Sequence, residues 1–319
     1  MSKTASVEYD TMNRNLLRVN DTRNHYRFGT VDLMTEFTIC ESFATIDSPY
    51  MTAVDHHRSY GVMVGERLGL QPGSRICEVG GGYGSLMRGL LEEYAGQIGH
   101  VYMIDLSRAL LKRQRERLQA WSPLITFING DIAELAPTLS DIDCLIVNEV
   151  IGDLETLQDL DCTNLPADVW DMVQRYDLDL PLAGTVHFNW GAISLVEEIC
   201  RRGIPVFLAE HASDPSIPDD MAFLRRGLNG SGYPREIRLA GHSEFTIRFS
   251  HLIKVARAWG RRIDSGSLID LVGIRRSPQM RFVFMARAQA TDEQALLYEL
   301  LDHIREYRWL FIHGCREGR

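Results

Sequence analysis

The sequence predicts an α/β protein with a mostly parallel sheet, and three observations support this fold class. Short apolar segments alternate with amphipathic segments of helical length between residues 75 and 147. A cluster of glycines follows the first apolar segment. The first four apolar segments end in polar side chains, which is typical of strands whose carboxyl ends face a ligand crevice. With 319 residues, 45% of them hydrophobic, the chain can bury such a core without disulfide or metal support.

Each element is predicted from the spacing of its apolar residues. Leu86, Leu90 and Leu91, for example, recur at helical spacing after the glycine cluster. The predicted strands are residues 75–79, 101–104, 125–128, 144–147, 204–209, 244–249 and 281–288. The predicted helices are residues 85–94, 108–121, 192–202, 251–259 and 292–307. Because strands and helices alternate at the start of this series, the strands there are expected to pair in parallel.

The alternation also predicts how the chain is organised. Residues 1–70 are expected to form a mostly helical N-terminal cap, and residues 71–319 a Rossmann-like domain. Two segments interrupt the alternation and are predicted to be insertions, at about residues 152–190 and 212–240. The first is acidic and broken by prolines, whereas the second is rich in proline and glycine.

Charge and cysteine content limit the classes of partner. A net charge of −9 without a dense basic patch disfavours nucleic acid and anionic membranes, so a small-molecule or protein substrate is expected. The six cysteines are scattered without zinc-type spacing, which predicts a reducing compartment and no metal site. The N-terminus lacks the apolar stretch of a secretory signal, and no apolar run is long enough to span a membrane. These features predict a cytoplasmic protein; they indicate no particular oligomeric state.

The glycine cluster, Glu78-Val79-Gly80-Gly81-Gly82-Tyr83-Gly84, has the context of a nucleotide-binding loop. Glycine permits a tight turn with positive φ, and without a Cβ it lets the backbone approach a ligand closely. A strand precedes the loop, a helix follows it, and Asp105 ends the next strand. The Asp105 carboxylate can accept hydrogen bonds from both hydroxyls of a ribose.

Three details favour S-adenosylmethionine over NAD as the nucleotide. Ser85 lies at the position where the dinucleotide-binding pattern requires glycine or alanine. Glu78 would repel a pyrophosphate, whereas it would attract a cationic amino-acid ligand. Asp131 follows the third strand, where its carboxylate could accept a hydrogen bond from an adenine amino group.

These residues resemble the successive cofactor motifs of class I methyltransferases over about residues 70–150. The resemblance implies a seven-stranded sheet with a reversed last strand and S-adenosyl-L-methionine as the cofactor. The residues then expected to bind the cofactor are Glu78, Gly80, Gly82, Gly84, Asp105, Leu106, Asp131 and Ile132.

Asn148 and Glu149 follow the fourth strand and are the predicted catalytic residues. Methyl transfer from a sulfonium mainly requires that the nucleophile be aligned and, where needed, lose a proton. A Glu149 carboxylate can hold a guanidinium bidentately, and Asn148 offers both a donor and an acceptor. The pair could instead simply cap the next helix.

Asn148-Glu149 also resembles the corresponding motif of the MidA family, whose best-known members are mitochondrial arginine methyltransferases that assist respiratory complex I assembly. Residues 244–246, 249–250 and 256–260 resemble a second motif of that family. The chain departs from the family pattern at Val150-Ile151-Gly152-Asp153 and at Glu210-His211-Ala212. Residues 148–152, with Glu155, distantly resemble the double-glutamate loop of protein arginine methyltransferases. Both resemblances imply a guanidinium acceptor.

Three other functions remain open at this point. The chain could be a small-molecule O-, N- or C-methyltransferase of secondary metabolism, in which His211 or His242 could act as a general base. It could be a non-catalytic assembly factor that keeps the fold for binding. It could also be an NAD-dependent oxidoreductase.

Overall fold

The computed structural model describes residues 17–20, 22–29, 31, 37–239 and 241–314. Residues 1–16, 21, 30 and 32–36 of the predicted N-terminal cap lie outside this part of the chain. The strands, in chain order, are β1 (Ser74–Val79), β2 (Ile98–Asp105), β3 (Ile125–Asn129), β4 (Cys144–Asn148), β5 (Leu157–Asp161), β6 (Thr185–Phe188), β7 (Val206–His211), β8 (Glu236–Arg238), β9 (Ser243–Phe245), β10 (Ile263–Ser267) and β11 (Tyr307–Ile312).

Seven of these strands form one sheet in the order β10-β11-β7-β4-β1-β2-β3. β1 pairs in parallel with β2 and β4, and β4 pairs in parallel with β7. β11 runs antiparallel to both of its neighbours. The predicted fold class, a mostly parallel seven-stranded sheet of the Rossmann-like kind with a reversed last strand, is therefore confirmed.

Helices cover both faces of the sheet. They are α1 (Thr22–Phe28), α2 (Ile39–Ser42), α3 (Tyr60–Leu68), α4 (Ser85–Tyr94), α5 (Arg108–Arg117), α6 (Ile132–Leu135), α7 (Ala167–Tyr176), α8 (Trp190–Arg202), α9 (Phe249–Ala258), α10 (Leu268–Leu271), α11 (Pro278–Ala286) and α12 (Asp292–Ile304). No helix among the described residues is both long and apolar enough to cross a membrane.

Alternating residues of the central strands feed two separate apolar clusters. Ile146 of β4 packs with Leu86 and Leu90 of α4, whereas its neighbours Leu145 and Val147 pack with residues of α8 on the opposite face. All five residues of β4 are buried, as a strand covered by helices on both faces requires.

The last two strands of the sheet differ from the prediction. Residues 281–288, predicted as a strand, lie in and just after α11, because Ser277 caps that helix and Pro278 occupies its first turn. Met280, Val283 and Phe284 are buried at helical spacing, while Phe282 between them is 62% exposed. Alternation of period two would have placed Phe282 and Phe284 on one face.

The seventh strand is instead β11, whose first residue was predicted to end a helix spanning residues 292–307. α12 ends at Ile304, and the apolar run that follows pairs with β7 along its full length. β10 is the sixth strand and was not predicted. Of residues 244–249, predicted as an edge strand, the first two lie in β9, the last begins α9, and residues 246–248 connect the two elements. β9 pairs with β8 in a separate two-stranded sheet.

The predicted insertion at about residues 152–190 has regular structure of its own. β5 and β6 pair as an antiparallel two-stranded sheet, and α7 lies between them in sequence. This segment follows β4 directly, so it stands beside the carboxyl edge of the sheet. The division into a cap and a Rossmann-like domain remains a prediction.

Close packing between α3 and α4 makes Gly61 sensitive to substitution. A Cβ added there would lie 2.1 Å from the carbonyl oxygen of Leu86 and 2.5 Å from the amide nitrogen of Leu90. Because both atoms belong to the backbone, Gly61→Ala is expected to lower the free energy of unfolding by about 1–3 kcal/mol. Urea denaturation measures this loss. Gly96→Ala, where a Cβ would meet nothing within 4 Å, is the matched control, and equal effects of the two substitutions would contradict the packing argument.

Candidate functional site

A cavity of about 1090 Å³ opens at the carboxyl ends of β1, β2 and β4. The strand order reverses at this point, because β2 and β3 lie on one side of β1 and β4 lies on the other side. Such switch points are where open α/β sheets bind ligands. Nearly all of the predicted site residues line this cavity, namely Glu78, Gly80, Gly82, Asp105, Leu106, Asp131, Ile132, Asn148 and Glu149.

The glycine loop is tightly packed at Gly80. Gly80 has φ of +61°, and a Cβ there would lie 2.4 Å from Val150 Cγ2. Gly84 has φ of +86° and caps α4, and it is the one predicted cofactor residue that is not among those lining the cavity. The backbone of the loop therefore approaches the cavity directly, as a nucleotide cradle requires.

Glu78 stands at the base of the loop with a buried and incompletely bonded carboxyl group. It is 2% exposed, and its Oε2 has no hydrogen-bond partner among the described residues. Burial, with a smaller contribution from Asp105, raises its pKa to about 8. A buried acceptor without a partner fits a ligand that brings a cationic donor, such as the ammonium group of S-adenosylmethionine.

Asp105, at the end of β2, is held in place by two donors. Its Oδ1 accepts the Ser107 backbone N–H at 2.8 Å, and its Oδ2 accepts the Gln114 side-chain amide at 2.8 Å. Gln114 also donates to the carbonyl of Gly82, at 3.0 Å. Burial raises the pKa of Asp105 to about 6 against the effect of these hydrogen bonds. Ser107 caps α5, so Asp105 is not needed for that role and its free lone pairs can accept ribose hydroxyls.

Asp131 both caps α6 and contacts a residue of the N-terminal region. Its Oδ1 accepts the Ala133 N–H at 2.8 Å, and its Oδ2 lies 2.5 Å from Arg23 Nε. Arg23 belongs to α1 and lines the cavity, a position that no sequence motif predicted. Ile132 is buried beside Asp131, on the expected adenine side of the cradle.

Asn148 and Glu149 line the cavity where β4 ends, at what the sequence predicts to be its reacting end. Burial raises the pKa of Glu149 to about 7, against the effect of hydrogen bonds from the Tyr307 hydroxyl and the Ile39 backbone N–H. Tyr307 donates to Glu149 Oε1 at 2.8 Å, and Asn148 Nδ2 donates to Oε2 at 3.2 Å. A carboxyl group with this pKa can exist in either protonation state near neutral pH, which suits proton transfer.

Two further glutamates face Glu149 from other elements. Glu210 of β7 and Glu244 of β9 both line the cavity, and Glu210 is 4% exposed. Burial, the Glu244 charge and the Glu149 charge raise the pKa of Glu210. The sequence drew attention to Glu155 as the second acid; it lines the cavity, but Glu244 is the acid whose charge raises the pKa of Glu149.

The histidines near the site have different environments. Burial and the charges of His303 and Arg235 hold the pKa of His211 well below its usual value, so its ring is neutral where it packs on Tyr307 with centroids 4.0 Å apart. His242 lies with Asp153 and Glu244 in a group whose candidate ligand atoms are within 4.8 Å of one another. The absence of a metal site remains a prediction from the sequence.

Comparisons with known proteins agree with this geometry at the level of the domain. Residues 76–168 match a family model described as a methyltransferase domain, and this stretch contains the glycine loop and Asn148-Glu149. No curated protein matches the chain.

Several solved structures show some similarity. A COG1565 superfamily member from Burkholderia thailandensis, bound to S-adenosylhomocysteine, is 16% identical, with a TM-score of 0.48 over 86% of this chain and 78% of that chain. An S-adenosylmethionine-dependent methyltransferase from Clostridium acetobutylicum is 9% identical, with a TM-score of 0.42 over 80% of this chain and 91% of that chain. The matched domain, the strand order and the cavity agree with one another: this chain is an S-adenosylmethionine-dependent methyltransferase with a Rossmann-like fold.

Proposed function

We propose that the protein methylates a guanidinium or other nitrogen of a protein or of a small guanidino substrate. The observation that carries the proposal is the Glu149 carboxyl group, which lies partly exposed at the end of β4, inside the cavity that also contains the glycine loop. The resemblance of Asn148-Glu149 to the MidA-like arginine methyltransferases supports the same acceptor.

The chain's own residues divide between the cofactor and the acceptor. Glu78, Asp105 and Asp131 would hold S-adenosylmethionine at its amino-acid, ribose and adenine parts. The bound cofactor supplies an electrophilic methyl group to a nucleophile in line with the carbon–sulfur bond. Because methylation replaces an N–H bond with an N–C bond, the acceptor nitrogen must lose one proton. Glu149 can hold the guanidinium through hydrogen bonds and then accept this proton.

The charge balance of the cavity favours a cationic acceptor. The arginines that line it are each paired with a carboxylate, in the pairs Arg23–Asp131, Arg235–Glu306 and Arg305–Asp302. Around the reacting end, Glu210 is buried and Glu149 is partly exposed, and neither pairs with these arginines. Glu244 lies 3.5 Å from His242 Nε2. A carboxylate removed from water without a counter-ion is costly, and a cationic substrate would lower that cost.

The walls of the cavity support a second candidate, a small molecule methylated on oxygen, nitrogen or carbon. Phe37, Trp190 and Leu239 line the same space as the acids, and they could enclose an apolar substrate. Apolar walls would also pack against the aliphatic part of an arginine side chain, so an experiment must separate the two candidates.

Transfer of a tritiated methyl group to a panel of acceptors tests the proposal. The panel contains an arginine-rich peptide, a lysine-rich peptide, free arginine, and small phenols. Citrulline, in the peptide and free, is the control because it keeps the shape of arginine without its charge. We expect label in an arginine or lysine acceptor, identified after acid hydrolysis, and little in citrulline. Label confined to the phenols would overturn the proposal in favour of the second candidate.

A further inference from the structure

A continuous chain of hydrogen bonds lies behind the reacting end of the cavity. The Tyr60 hydroxyl donates to Asn148 Oδ1 at 2.7 Å, and Asn148 Nδ2 donates to Glu149 Oε2 at 3.2 Å. The Tyr307 hydroxyl donates to the other oxygen of Glu149, Oε1, at 2.8 Å. Neither tyrosine has a role in the reaction proposed above.

The two tyrosines come from distant parts of the chain and are both enclosed. Tyr60 is the first residue of α3 and is 1% exposed, whereas Tyr307 is the first residue of β11 and is 2% exposed. Phenylalanine would fill the same apolar space without a buried hydroxyl that needs a partner. The function of the two hydroxyls therefore lies in their hydrogen bonds to Asn148 and Glu149.

The orientation of the Asn148 side chain follows from its neighbours. An ionised carboxylate can only accept hydrogen bonds, so the NH₂ end of the amide must face Glu149. The amide oxygen then faces Tyr60, which can donate to it. Without the Tyr60 hydroxyl, the amide could rotate and present its oxygen to Glu149, which would place two acceptors against each other.

The backbone of Glu149 is also held in an unusual conformation. Its φ is +53°, in the left-handed region that residues other than glycine rarely adopt, and its N–H donates to the Ala209 carbonyl at 2.9 Å. Such a conformation costs free energy and persists only where surrounding contacts fix it. Side-chain donors on both carboxylate oxygens, together with the Ile39 N–H at 3.2 Å, are contacts of this kind.

We infer that Tyr60 and Tyr307 are positioning residues for methyl transfer, which hold the Glu149 carboxylate in one orientation toward the acceptor nitrogen. Tyr307 acts on Glu149 directly, and Tyr60 acts through Asn148. The inference rests on the proposed role of Glu149.

Tyr307→Phe is expected to change the pH dependence of the reaction in one direction. The Tyr307 hydrogen bond lowers the pKa of Glu149, which burial has raised to about 7. Removing the donor raises this pKa further, so the acidic limb of the pH profile of kcat/KM should move upward by about one pH unit. The rate then falls about tenfold below neutral pH and little at alkaline pH.

Other titratable groups face Glu149 and are common to the wild-type and variant profiles. They come from α2, α3, β7 and β9 respectively, and are Cys40, Tyr60, Glu210 and Glu244. Because the Tyr307→Phe substitution leaves these groups in place, the difference between the two profiles reports the change at Glu149.

Tyr60→Phe tests the indirect route through Asn148. We expect it to lower kcat/KM in the wild-type background and to have little further effect in an Asn148→Ala background, because Tyr60 would then have no amide to orient. Additive effects in this double-mutant cycle would show that Tyr60 acts independently of Asn148 and would overturn its assignment.

Tyr176→Phe is the matched control for both substitutions. Tyr176 is a buried tyrosine whose hydroxyl contacts Glu197 at 2.5 Å, and it does not line the cavity. It should leave the pH profile unchanged. Cofactor binding, measured by calorimetry, verifies that each variant is folded. Tyr60→Phe and Tyr307→Phe are independent tests of the chain of hydrogen bonds.

The outcomes separate this inference from the proposed function. If Glu149→Gln abolishes transfer while Tyr307→Phe leaves the pH profile unshifted, the positioning role is wrong and the function of Glu149 stands. If Glu149→Gln retains full activity, the proposed role of Glu149 fails and the inference fails with it, whereas the acceptor panel tests the proposed nitrogen methylation separately. A shifted profile together with an inactive Glu149→Gln variant supports both.

Discussion

Glu149→Gln is expected to lower kcat for methyl transfer by about 10²–10⁴-fold, which is the usual contribution of a positioned acid or base. Glutamine has nearly the shape of glutamate, but it has no negative charge and cannot accept the proton that the acceptor nitrogen loses. Cofactor affinity should change little, because the substitution leaves in place the residues expected to hold the cofactor, among them Glu78 and Asp105. Single-turnover transfer of a tritiated methyl group measures the loss, and calorimetry measures the affinity.

The control for this prediction is Glu92→Gln. Glu92 is a half-exposed glutamate on α4 that pairs with Arg88 and lies outside the cavity. The wild-type rate should rise with pH through about 7, where Glu149 loses its proton, and the residual rate of Glu149→Gln should lack this step. Equal rates for Glu149→Gln and wild type would exclude Glu149 as the base.

The part of this site that the sequence predicted is the part built from local pattern. The glycine loop, Asp105, Asp131 and Asn148-Glu149 each lie at or just after the end of a strand, so a correct strand prediction places each of them at the same sheet edge. The first four strands were predicted correctly because they are short, mainly apolar runs that alternate with helical segments of clear period.

The part that the sequence did not predict depends on contacts between distant segments. No sequence motif marks Tyr60, Tyr307 or Gln114. Their contacts with site residues depend on the packing of α3 and α5 against the sheet and on the pairing of β11 within it. The error at residues 281–288 had a related cause, because short apolar runs suit a helix and a strand equally well. That error removed β11 from the predicted sheet, and with it the position of Tyr307.

Glu78→Gln is expected to stabilise the protein at alkaline pH and to weaken cofactor binding. The pKa of Glu78 is about 8 in the folded protein, against an ordinary value of 4.5. Between these values the unfolded chain has released the proton that the folded protein still holds, so stability falls as pH rises through this window. A shift of this size corresponds to at most about 5 kcal/mol.

Urea denaturation at pH 5 and pH 9 measures this effect in the cofactor-free protein. Wild type should lose free energy of unfolding between the two pH values, and Glu78→Gln should lose less, by a few kcal/mol at the order-of-magnitude level. Glu92→Gln should behave as wild type. The same pH-dependent loss in Glu78→Gln and wild type would show that Glu78 is not the buried acid responsible.

Cofactor binding, in contrast to stability at alkaline pH, should favour wild type over Glu78→Gln. A cationic ligand beside Glu78 favours the ionised carboxylate, so binding at pH 7 should release up to about one proton from wild type and much less from Glu78→Gln. Calorimetry in two buffers of different ionisation enthalpy measures this release. Loss of a charge-assisted contact should weaken binding by about 10–100-fold. The same buried carboxyl group would then lower the stability of the free protein and strengthen cofactor binding. Binding without proton release would contradict its role as the partner of the cofactor's cationic end.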